Sequence, residues 1–434
     1  MLKIDVKLPN NWKFIKFQDI FAEKIRNGIY KKKEFHGRGY KIINMGELFK
    51  YDFISNQNMK RIELNEKEKK KYYVAEGDLL FARRSLILGG SGKCSIVLNP
   101  SELTTFESSI IRVRLDKLKV NPLYYFYFFK SPFGRSLIAS ISTRTAVSGI
   151  RGSDLAVQKV PMPPKWMQNK IANILYTFDH LIEVNLRRIQ VLEEMAKSLF
   201  NEWFVHFRYP GHENTEKRES EFGQIPKNWQ ILSLRDILKT LESGSRPKGG
   251  IDPNVKEVPS IGAENIIGLG KYDYSKEKFV TREFYEEMKK GHVISGDVLL
   301  YKDGAHIGRK SMFRDGFPHK ECCINEHVFI LRTTESCTQN YLYFWLDRSD
   351  ITQKIKNLNT NVAQPGINKR KVYNLPILIP DKKTLYMFEE NIDPLMAQLF
   401  NFAKQNNLLR KIRDLLIPKL TLGEIDVSAL EIQI

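Results

Sequence analysis

Most segments of this 434-residue chain occur twice, in the same order and at an offset of about 217 residues. PNNWKFIKFQDI at Pro9–Ile20 recurs as PKNWQILSLRDI at Pro226–Ile237, and EGDLLFARR at Glu76–Arg84 recurs as SGDVLLYKD at Ser295–Asp303. Three further segments pair in the same way: Glu107–Arg114 with Glu326–Arg332, Leu123–Ser131 with Asn340–Arg348, and Thr145–Leu155 with Asn361–Val372. The chain is therefore one unit repeated, and each unit is predicted to be a globular domain followed by a long helix.

The first long helix is predicted at Trp166–Arg208, which contains no proline or glycine. Its apolar positions fall on two seven-residue series: Ile171, Phe178, Asn185, Leu192 and Leu199, and Leu175, Ile182, Ile189, Ala196 and Trp203. This 3-4 spacing is typical of a coiled coil, and the helix would be roughly 60 Å long. Thr384–Leu420 repeats the pattern, and because Pro394 interrupts it, a straight helix is predicted only after that proline.

Each helix stripe carries one central asparagine, Asn185 or Asn406. A single buried polar residue on a coiled-coil seam can fix the register of two helices. If the two asparagines face each other, the helices run antiparallel and their lengths match. The alternative is that both asparagines occupy tolerated, exposed positions.

Within each domain the sequence pattern predicts both strands and short helices. GDLLFA and GDVLLY read as strands that follow a Gly-Asp turn, and SSIIRVRL and HVFILR are rich in β-branched residues that favour strands. The aromatic runs at 124–129 and 341–346 fit short buried helices rather than base-stacking surfaces. The predicted fold class is α+β: two similar α/β domains separated by a pair of long antiparallel coiled-coil helices, with a pseudo-two-fold repeat. The predicted boundaries are 1–165 for the first domain, 166–208 for the central helix, 209–225 for a linker, 226–383 for the second domain and 384–434 for the C-terminal helix and tail.

The formal charge is +19, with 69 Lys and Arg against 50 Asp and Glu. Such an excess favours a polyanion partner, most often nucleic acid, although a genome biased toward lysine codons would also produce it. The four cysteines, Cys94, Cys322, Cys323 and Cys337, lack paired metal-binding spacing and are expected to be reduced. With no apolar signal core and no long apolar run, a cytoplasmic location without membrane contact is expected.

Three features of the sequence match one known family. They are LEEMAKSLFNEWFVHF at Leu192–Phe207, the PxxW openings at Pro9 and Pro226, and LRKIRDLLIPKLTLGEID at Leu409–Asp426. On these residues the chain resembles the specificity subunit of type I restriction-modification systems. The resemblance implies two target-recognition domains, each of which reads one half of a bipartite site on double-stranded DNA. It also implies two methyltransferase subunits that modify adenine with S-adenosylmethionine, and restriction subunits that translocate and cleave DNA. ATP and Mg²⁺ are expected on those partner subunits.

No catalytic motif is found in the chain itself. Ser91-Gly92-Lys93-Cys94 resembles the end of a phosphate loop, but Ile87 stands where the first glycine is required. No amino-methyltransferase motif occurs, so the pocket for a flipped base must come from a partner. His306, His319 and His327 lack a helical metal-ligand spacing. A non-catalytic DNA-recognition subunit with no cofactor or metal of its own is predicted.

Candidate DNA contacts are basic and polar residues on loops and helix starts, because these can enter the major groove or hold phosphates. In the first domain they are Lys31, Lys32, Lys33, His36, Arg38, Arg83, Arg84, Arg144 and Arg151. In the second domain they are Arg246, Lys248, Lys302, His306, Arg309, Lys310, Asn361, Gln364, Lys369 and Arg370. For any one of them, the alternative is a solvated side chain with no DNA contact. The outer helix faces, with Glu193, Glu194 and Lys197 beside an exposed Phe204, and the ends near Trp203 and Leu415-Leu416 are expected to receive the methyltransferase subunits.

Two other functions within the class of DNA-binding specificity proteins stay possible for this chain. The chain could be a specificity module of a different restriction-methylation assembly, or a silent copy that recombines with a neighbouring gene. The competitor from another class is a nuclease or nucleotide-dependent enzyme that uses the basic surface.

Overall fold

The structure is a computed structural model, and it describes residues 8–86, 89–143, 148–359 and 365–430. The chain divides into two compact units. Unit 1 consists of residues 1–180 and 409–434, and unit 2 consists of residues 181–408. Each unit contains one domain and one part of each long helix.

The first domain contains twelve strands among the described residues: β1 (Lys13–Lys16), β2 (Arg26–Asn27), β3 (His36–Ile43), β4 (Phe53–Ile54), β5 (Arg61–Ile62), β6 (Leu79–Ala82), β7 (Arg84–Ser85), β8 (Cys94–Val97), β9 (Thr104–Phe106), β10 (Ile110–Val113), β11 (Ser148–Gly149) and β12 (Lys159–Met162). Its helices, and the long helix that follows them, are α1 (Met45–Lys50), α2 (Glu66–Tyr72), α3 (Pro122–Lys130), α4 (Pro132–Ser140), α5 (Gly152–Ala156) and α6 (Lys165–Phe204).

The described strands after α6 are β13 (Lys217–Ser220), β14 (Gly223–Pro226), β15 (Gln230–Ser233), β16 (Leu238–Ser243), β17 (Val258–Ile261), β18 (Lys278–Val280), β19 (Asp297–Tyr301), β20 (Lys310–Phe313), β21 (Cys323–Ile324), β22 (Val328–Thr333) and β23 (Pro376–Ile379). The helices are α7 (Leu234–Ile237), α8 (Arg282–Glu287), α9 (Gln339–Asp347), α10 (Ser349–Asn357), α11 (Lys369–Tyr373) and α12 (Lys382–Thr421).

The two domains share four strands of the main sheet in the same order, and β4 extends the sheet of the first domain at one edge. The main sheet of the first domain has the order β2-β10-β6-β8-β4, and that of the second has the order β16-β22-β19-β20. Each domain also has a three-stranded sheet, β5-β3-β9 or β18-β17-β21, that contains one parallel pair. In both domains the strand after the PxxW opening pairs antiparallel with the strand that precedes the long helix. The repeat seen in the sequence is thus a repeat of the fold.

A buried arginine–aspartate pair occupies the same place in both main sheets. Arg114 Nε donates to Asp78 Oδ1 at 2.7 Å, and Arg332 Nε donates to Asp297 Oδ1 at 2.6 Å. Both aspartates belong to the Gly-Asp turns that the sequence analysis singled out, and both are fully buried. The second guanidinium nitrogen bonds the other carboxylate oxygen in each case, so each pair is bidentate.

The aromatic runs form short buried helices, as predicted. All six side chains from Tyr124 to Phe129 in α3 are buried, and so are those from Tyr341 to Leu346 in α9. The Tyr124 hydroxyl donates to the Thr421 carbonyl at 2.8 Å within unit 1, and Tyr341 packs edge-on against Phe204 within unit 2. In each unit, these helices therefore join the domain to a long helix.

The long helices pack antiparallel within each unit. In unit 1 Arg413 forms an ion pair with Asp179, and Lys170 Nζ reaches the Ser428 carbonyl at 3.0 Å. In unit 2 Trp203 lies against Phe388, with ring centroids 6.0 Å apart. The predicted series Leu175, Ile182, Ile189, Ala196 and Trp203 is buried throughout.

The two asparagines are buried at the same level in unit 2, but they do not bond each other. Asn406 Nδ2 donates to the Ile182 carbonyl at 3.3 Å, and Asn185 Nδ2 donates to Gln405 Oε1 at 3.4 Å. Asn406 Oδ1 is buried without a hydrogen-bond partner among the described residues. The alternative of exposed asparagines is therefore excluded.

Two helix predictions need correction. The helix α6 ends at Phe204 rather than Arg208, because Phe207 adopts a φ of 56° and turns its ring onto Trp229. The helix α12 begins at Lys382 and continues through Pro394, whereas a straight helix was predicted only after that proline. Pro394 and Glu390 are both exposed, so the carbonyl that the proline leaves without an N–H donor can bond water.

The segment at 209–225 is ordered. Tyr209 stacks on Trp229 with ring centroids 5.2 Å apart, and β13 and β14 form a hairpin. These contacts attach the segment to the second domain. The fold class is as predicted: two similar α/β domains, each with an antiparallel portion of the long helices.

Candidate nucleic-acid interface

A cleft in the first domain forms where the chain leaves the main sheet after β6 and enters β7, which pairs with β11. Arg84 pairs with Gly149 in a short antiparallel ladder, and the Ile150 amide donates to the Arg83 carbonyl at 3.0 Å. The cleft has a volume of about 370 Å³, and its lining consists of Arg83, Arg84, Thr143, Gly149, Ile150 and Arg151. The structure thus brings together three of the predicted arginines from two distant segments of the chain. Arg144 lies outside the described residues.

The second domain has a cleft at the equivalent place. Asp303 and Gly366 form an isolated antiparallel β-bridge, and the Ile367 amide donates to the Lys302 carbonyl at 3.0 Å. The cleft is larger, about 970 Å³, and its lining includes His306, Arg309, His327, Asn368 and Lys371. Of the predicted residues, His306 and Arg309 line it directly. Asn361 and Gln364 lie outside the described residues.

The two clefts share their backbone hydrogen bonds. The Arg83 amide donates to the Ser109 carbonyl at 2.8 Å, and the Lys302 amide donates to the His327 carbonyl at 3.1 Å. The Arg84–Gly149 pair and the Asp303–Gly366 β-bridge also correspond. In the shared backbone, Arg83 is therefore equivalent to Lys302, Arg84 to Asp303 and Ser109 to His327. The backbone is common to both domains, whereas the side chains differ.

Lys302 and Lys310 are held by carboxylates. Lys302 Nζ bonds Asp303, and its side chain is largely buried. Lys310 lies in the buried strand β20, where its ammonium donates to Thr352 Oγ1 at 2.7 Å and forms an ion pair with Asp347 at 3.3 Å. Burial lowers the pKa of Lys310, while Asp347 opposes that shift. The prediction that Lys310 contacts DNA is wrong, because a buried and paired ammonium cannot reach a phosphate.

The segment from Lys31 to Arg38 packs against a different part of the first domain. Lys31 Nζ bonds Glu68 of α2 at 2.7 Å, His36 Nε2 lies 3.2 Å from the Lys31 carbonyl, and Arg38 forms an ion pair with Glu63 at 2.5 Å. Lys32 and Lys33 are exposed. The segment presents positive charge, but part of that charge is balanced by neighbouring glutamates.

The remaining candidates of the second domain lie on its surface. Arg246 forms an ion pair with Glu326 at 3.0 Å, and Lys248 is exposed two residues further on. Lys369 and Arg370 form the first turn of α11, where Asn368 caps the helix by accepting from the Lys371 amide at 2.9 Å. These two positions therefore lie beside the second cleft.

Several residues of the second cleft were missed by the sequence analysis. Asp303, His327 and Glu264 line it, and none of the three was among the predicted contacts. Asp303 and Glu264 are carboxylates, which a search for basic and neutral polar side chains passes over. Aligning the repeats would have found Asp303 and His327, since they stand where Arg84 and Ser109 stand in the first copy. Asn368 and Lys371 were also missed, although they flank the predicted residues Lys369 and Arg370 in the sequence.

The expected exposure of Phe204 is wrong. Phe204 is buried in unit 2 among Trp229, Tyr341 and Phe388, because α6 turns this face toward the second domain. The apolar side chains that α6 does expose include Val191 and Met195, which are about half exposed. A groove of about 430 Å³ runs beside Val191, and Arg188 and Phe402 form part of its wall.

The described residues contain no group of three or more His, Cys, Asp or Glu side chains arranged to hold a metal ion. All four cysteines are free and buried, and burial raises the pKa of the thiols of Cys94, Cys322 and Cys337. In the part of the chain that the structure describes, no helix is both long and apolar enough to span a membrane.

Comparison with known proteins gives one consistent family. The family model described as "Type I restriction modification DNA specificity domain" matches the chain twice, over residues 9–194 and 226–413. The chain is 27% identical to the type I restriction enzyme MjaIX specificity subunit of Methanocaldococcus jannaschii, over 98% of this chain and 96% of that protein. It is 21% identical to the HindI specificity subunit of Haemophilus influenzae, over 88% of this chain and 94% of that protein.

A solved structure shares the fold. The crystal structure of the type I restriction-modification S subunit from M. genitalium matches 95% of this chain and 97% of its own, with a TM-score of 0.53 and 18% identity. The two family matches coincide with the two copies of the repeat and together cover most of the sequence. The chain belongs to the type I restriction-modification DNA specificity family.

Proposed function

We propose that this chain is the DNA specificity subunit of a type I restriction-modification complex. Each domain reads one half of a bipartite site on double-stranded DNA, and the long helices set the spacing between the halves. The observation that carries the proposal is the duplicated cleft, built on one backbone frame and lined by different polar side chains in each copy. A symmetric dimer must read a palindrome, whereas a chain with two divergent clefts can read two unrelated half-sites.

The chain acts by binding and carries no catalytic function of its own. Arginines and lysines near the clefts hold phosphates, and the polar side chains inside the clefts contact base edges. The net charge of +19 supports this role, since phosphate contacts supply most of the salt-dependent affinity of such proteins. S-adenosylmethionine, ATP and Mg²⁺ belong to the partner subunits.

The partners are two methyltransferase subunits and the restriction subunits. The exposed apolar side chains of α6 support docking of a methyltransferase helix, because aromatic and aliphatic anchors within a charged rim suit helix-face contacts. Arg188 lies over the Phe402 ring at 5.2 Å beside Val191. The groove therefore combines apolar side chains with a charged side chain at its edge. Leu415, which is two-thirds exposed, provides a similar anchor on α12 in unit 1.

Reconstitution tests the proposal. The purified chain is mixed with the methyltransferase subunit from the same gene cluster, and adenine methylation of a long DNA is mapped. We expect defined bipartite sites to be methylated only when both proteins are present. Methylation by this chain alone, or unchanged methylation by the partner without it, would refute the proposal.

A further inference from the structure

The two clefts carry opposite charge at one shared position. Arg84 pairs with Gly149 in the first domain, and Asp303 pairs with Gly366 in the second, so both residues occupy the same site on the same backbone frame. A second difference lies close by: Ser109 in the first domain is replaced by His327 in the second. A guanidinium donates hydrogen bonds only, and an ionised carboxylate only accepts them. The two domains therefore present complementary chemistry at this point.

The Asp303 carboxylate is held in place by its neighbours. Lys302 Nζ bonds its Oδ2 oxygen, and His327 Nδ1 lies 3.2 Å from the same oxygen. The side chain is 29% exposed and lines the cleft with His306 and Arg309. Two cationic or polar neighbours offset the repulsion that a carboxylate would meet near DNA phosphates. With these neighbours, the Asp303 carboxylate can lie close to DNA.

The groups on DNA that such a carboxylate can recognise are few. It needs an N–H donor, and the major-groove edges of base pairs offer only two, the N4 amino group of cytosine and the N6 amino group of adenine. Guanine and thymine present acceptors there, which a carboxylate repels. Asp303 therefore suits selection of one amino-bearing base.

We propose that Asp303 determines part of the specificity of the second domain by accepting a hydrogen bond from the exocyclic amino group of a cytosine or adenine in its half-site. Lys302 and His327 act as positioning residues for this carboxylate. In the first domain, Arg84 at the same position donates instead, so the corresponding base or phosphate there is an acceptor. This inference rests on the proposed function, because it names the chemistry of one half-site.

The test uses the complete methyltransferase complex with the full-length chain. The methylation map of the wild-type complex first defines both half-sites. Duplexes are then made in which single bases lose their exocyclic amino group: purine replaces adenine, and 2-pyrimidinone replaces cytosine, at every position except the methylated adenine. Methylation rates are compared for the wild type, Asp303→Ala, Asp303→Asn and the control Glu335→Gln, which removes an exposed carboxylate elsewhere in the same domain.

We expect one replaced base to lower the wild-type rate by roughly tenfold or more, in line with the discrimination of a good base contact. Asp303→Ala should lose a similar factor on the natural duplex and should no longer respond to that replacement. Asp303→Asn keeps the side-chain shape and one acceptor, so it should fold normally and lose part of the discrimination. Glu335→Gln should behave as the wild type.

Two outcomes would overturn the inference. If Asp303→Ala or Asp303→Asn stays as sensitive as the wild type to every amino-group removal, Asp303 does not contact such a base. If both variants lower methylation equally for all duplexes, the residue serves general binding only. Failure of the proposed function looks different, because the wild-type complex would then give no bipartite motif at all, and both proposals would fall together.

Discussion

At the scale of single residues, the bidentate Arg–Asp pair shows why the Gly-Asp turn is present in both copies. Asp297 accepts two hydrogen bonds from Arg332 and a third from the Ile294 amide at 2.8 Å. Hydrogen bonding to Asp297 raises the pKa of Arg332, so the guanidinium stays charged although its side chain is largely buried. A buried charge of this kind is tolerated only while its partner is present.

Removing one partner should therefore destabilise the second domain strongly. Asp297→Ala is expected to cost about 3–5 kcal/mol, because it removes the bidentate counter-ion of Arg332 and leaves only Glu242, at 4.0 Å, to balance the buried guanidinium. In differential scanning calorimetry this should lower the transition temperature of that domain by roughly 10 °C. The double variant Asp297→Ala/Arg332→Leu should recover much of the loss, and a double variant as unstable as the single one would contradict this account.

The arginines of the first cleft lead to a prediction about binding. Charge reversal in Arg83→Glu/Arg84→Glu should weaken binding of the assembled complex to its DNA site by tenfold or more. It should also make the slope of log K against log salt concentration shallower, by the amount expected for the loss of about two phosphate contacts. Lys354→Glu, which reverses an exposed charge paired with Glu221, serves as the control. Unchanged binding at moderate salt would remove the cleft from the DNA footprint.

The sequence predicted some of these residues and not others, for physical reasons. Arg83, Arg84 and Arg151 could be selected as candidates, because each lies in a basic segment that recurs in the second copy. Their grouping around one cleft was not predicted, because it depends on the pairing of β7 with β11. The burial of Lys310 could not be anticipated, since its partners Asp347 and Thr352 come from α9 and α10 and no local pattern reveals them. Asp303 was overlooked because it is not a cation, although the repeat places it opposite Arg84.

At the scale of elements, the long helices were the most predictable part of the fold. Their seven-residue spacing identifies the buried stripe, and within each unit the contacts Asp179–Arg413 and Trp203–Phe388 follow the antiparallel register inferred from the asparagines. The end of α6 was less predictable. It depends on Phe207 and Tyr209 packing on Trp229, which is a tertiary contact.

Asn185 and Asn406 should lower the stability of the helix pair and at the same time favour one register of the two helices. Asn406 Oδ1 is buried without a partner among the described residues, so Asn185→Leu/Asn406→Leu should raise the melting temperature on the order of 5 °C. The same variant should pair its helices less selectively and self-associate, which light scattering would detect. If neither melting nor association changes, the asparagines do not specify the register.

At the scale of the whole molecule, the C-terminal helix contributes to both hydrophobic cores. Ile392, Leu399 and Phe400 are buried in the core of unit 2, and Ile417 and Leu420 are buried in the core of unit 1. Truncation after Pro380 removes all five. The truncated chain should expose both cores, aggregate, and fail to support methylation when mixed with its methyltransferase partner. A soluble truncated chain that supports full methylation would contradict the assigned role of the helices.

The two-domain architecture followed from the repeat alone, but the half-site sequences do not follow from any pattern in the chain. Base recognition depends on where a few side chains stand within each cleft, and the shared frame carries quite different residues in its two copies. The proposed function requires that this chain directs methylation to one bipartite DNA site.

The most direct test is a single-molecule map of methylated adenines across the genome that carries this gene, with the gene intact and deleted. We expect one bipartite motif with two different halves to lose its methylation on deletion and to regain it when the gene is restored. A map that is unchanged by the deletion would show that this chain does not direct methylation.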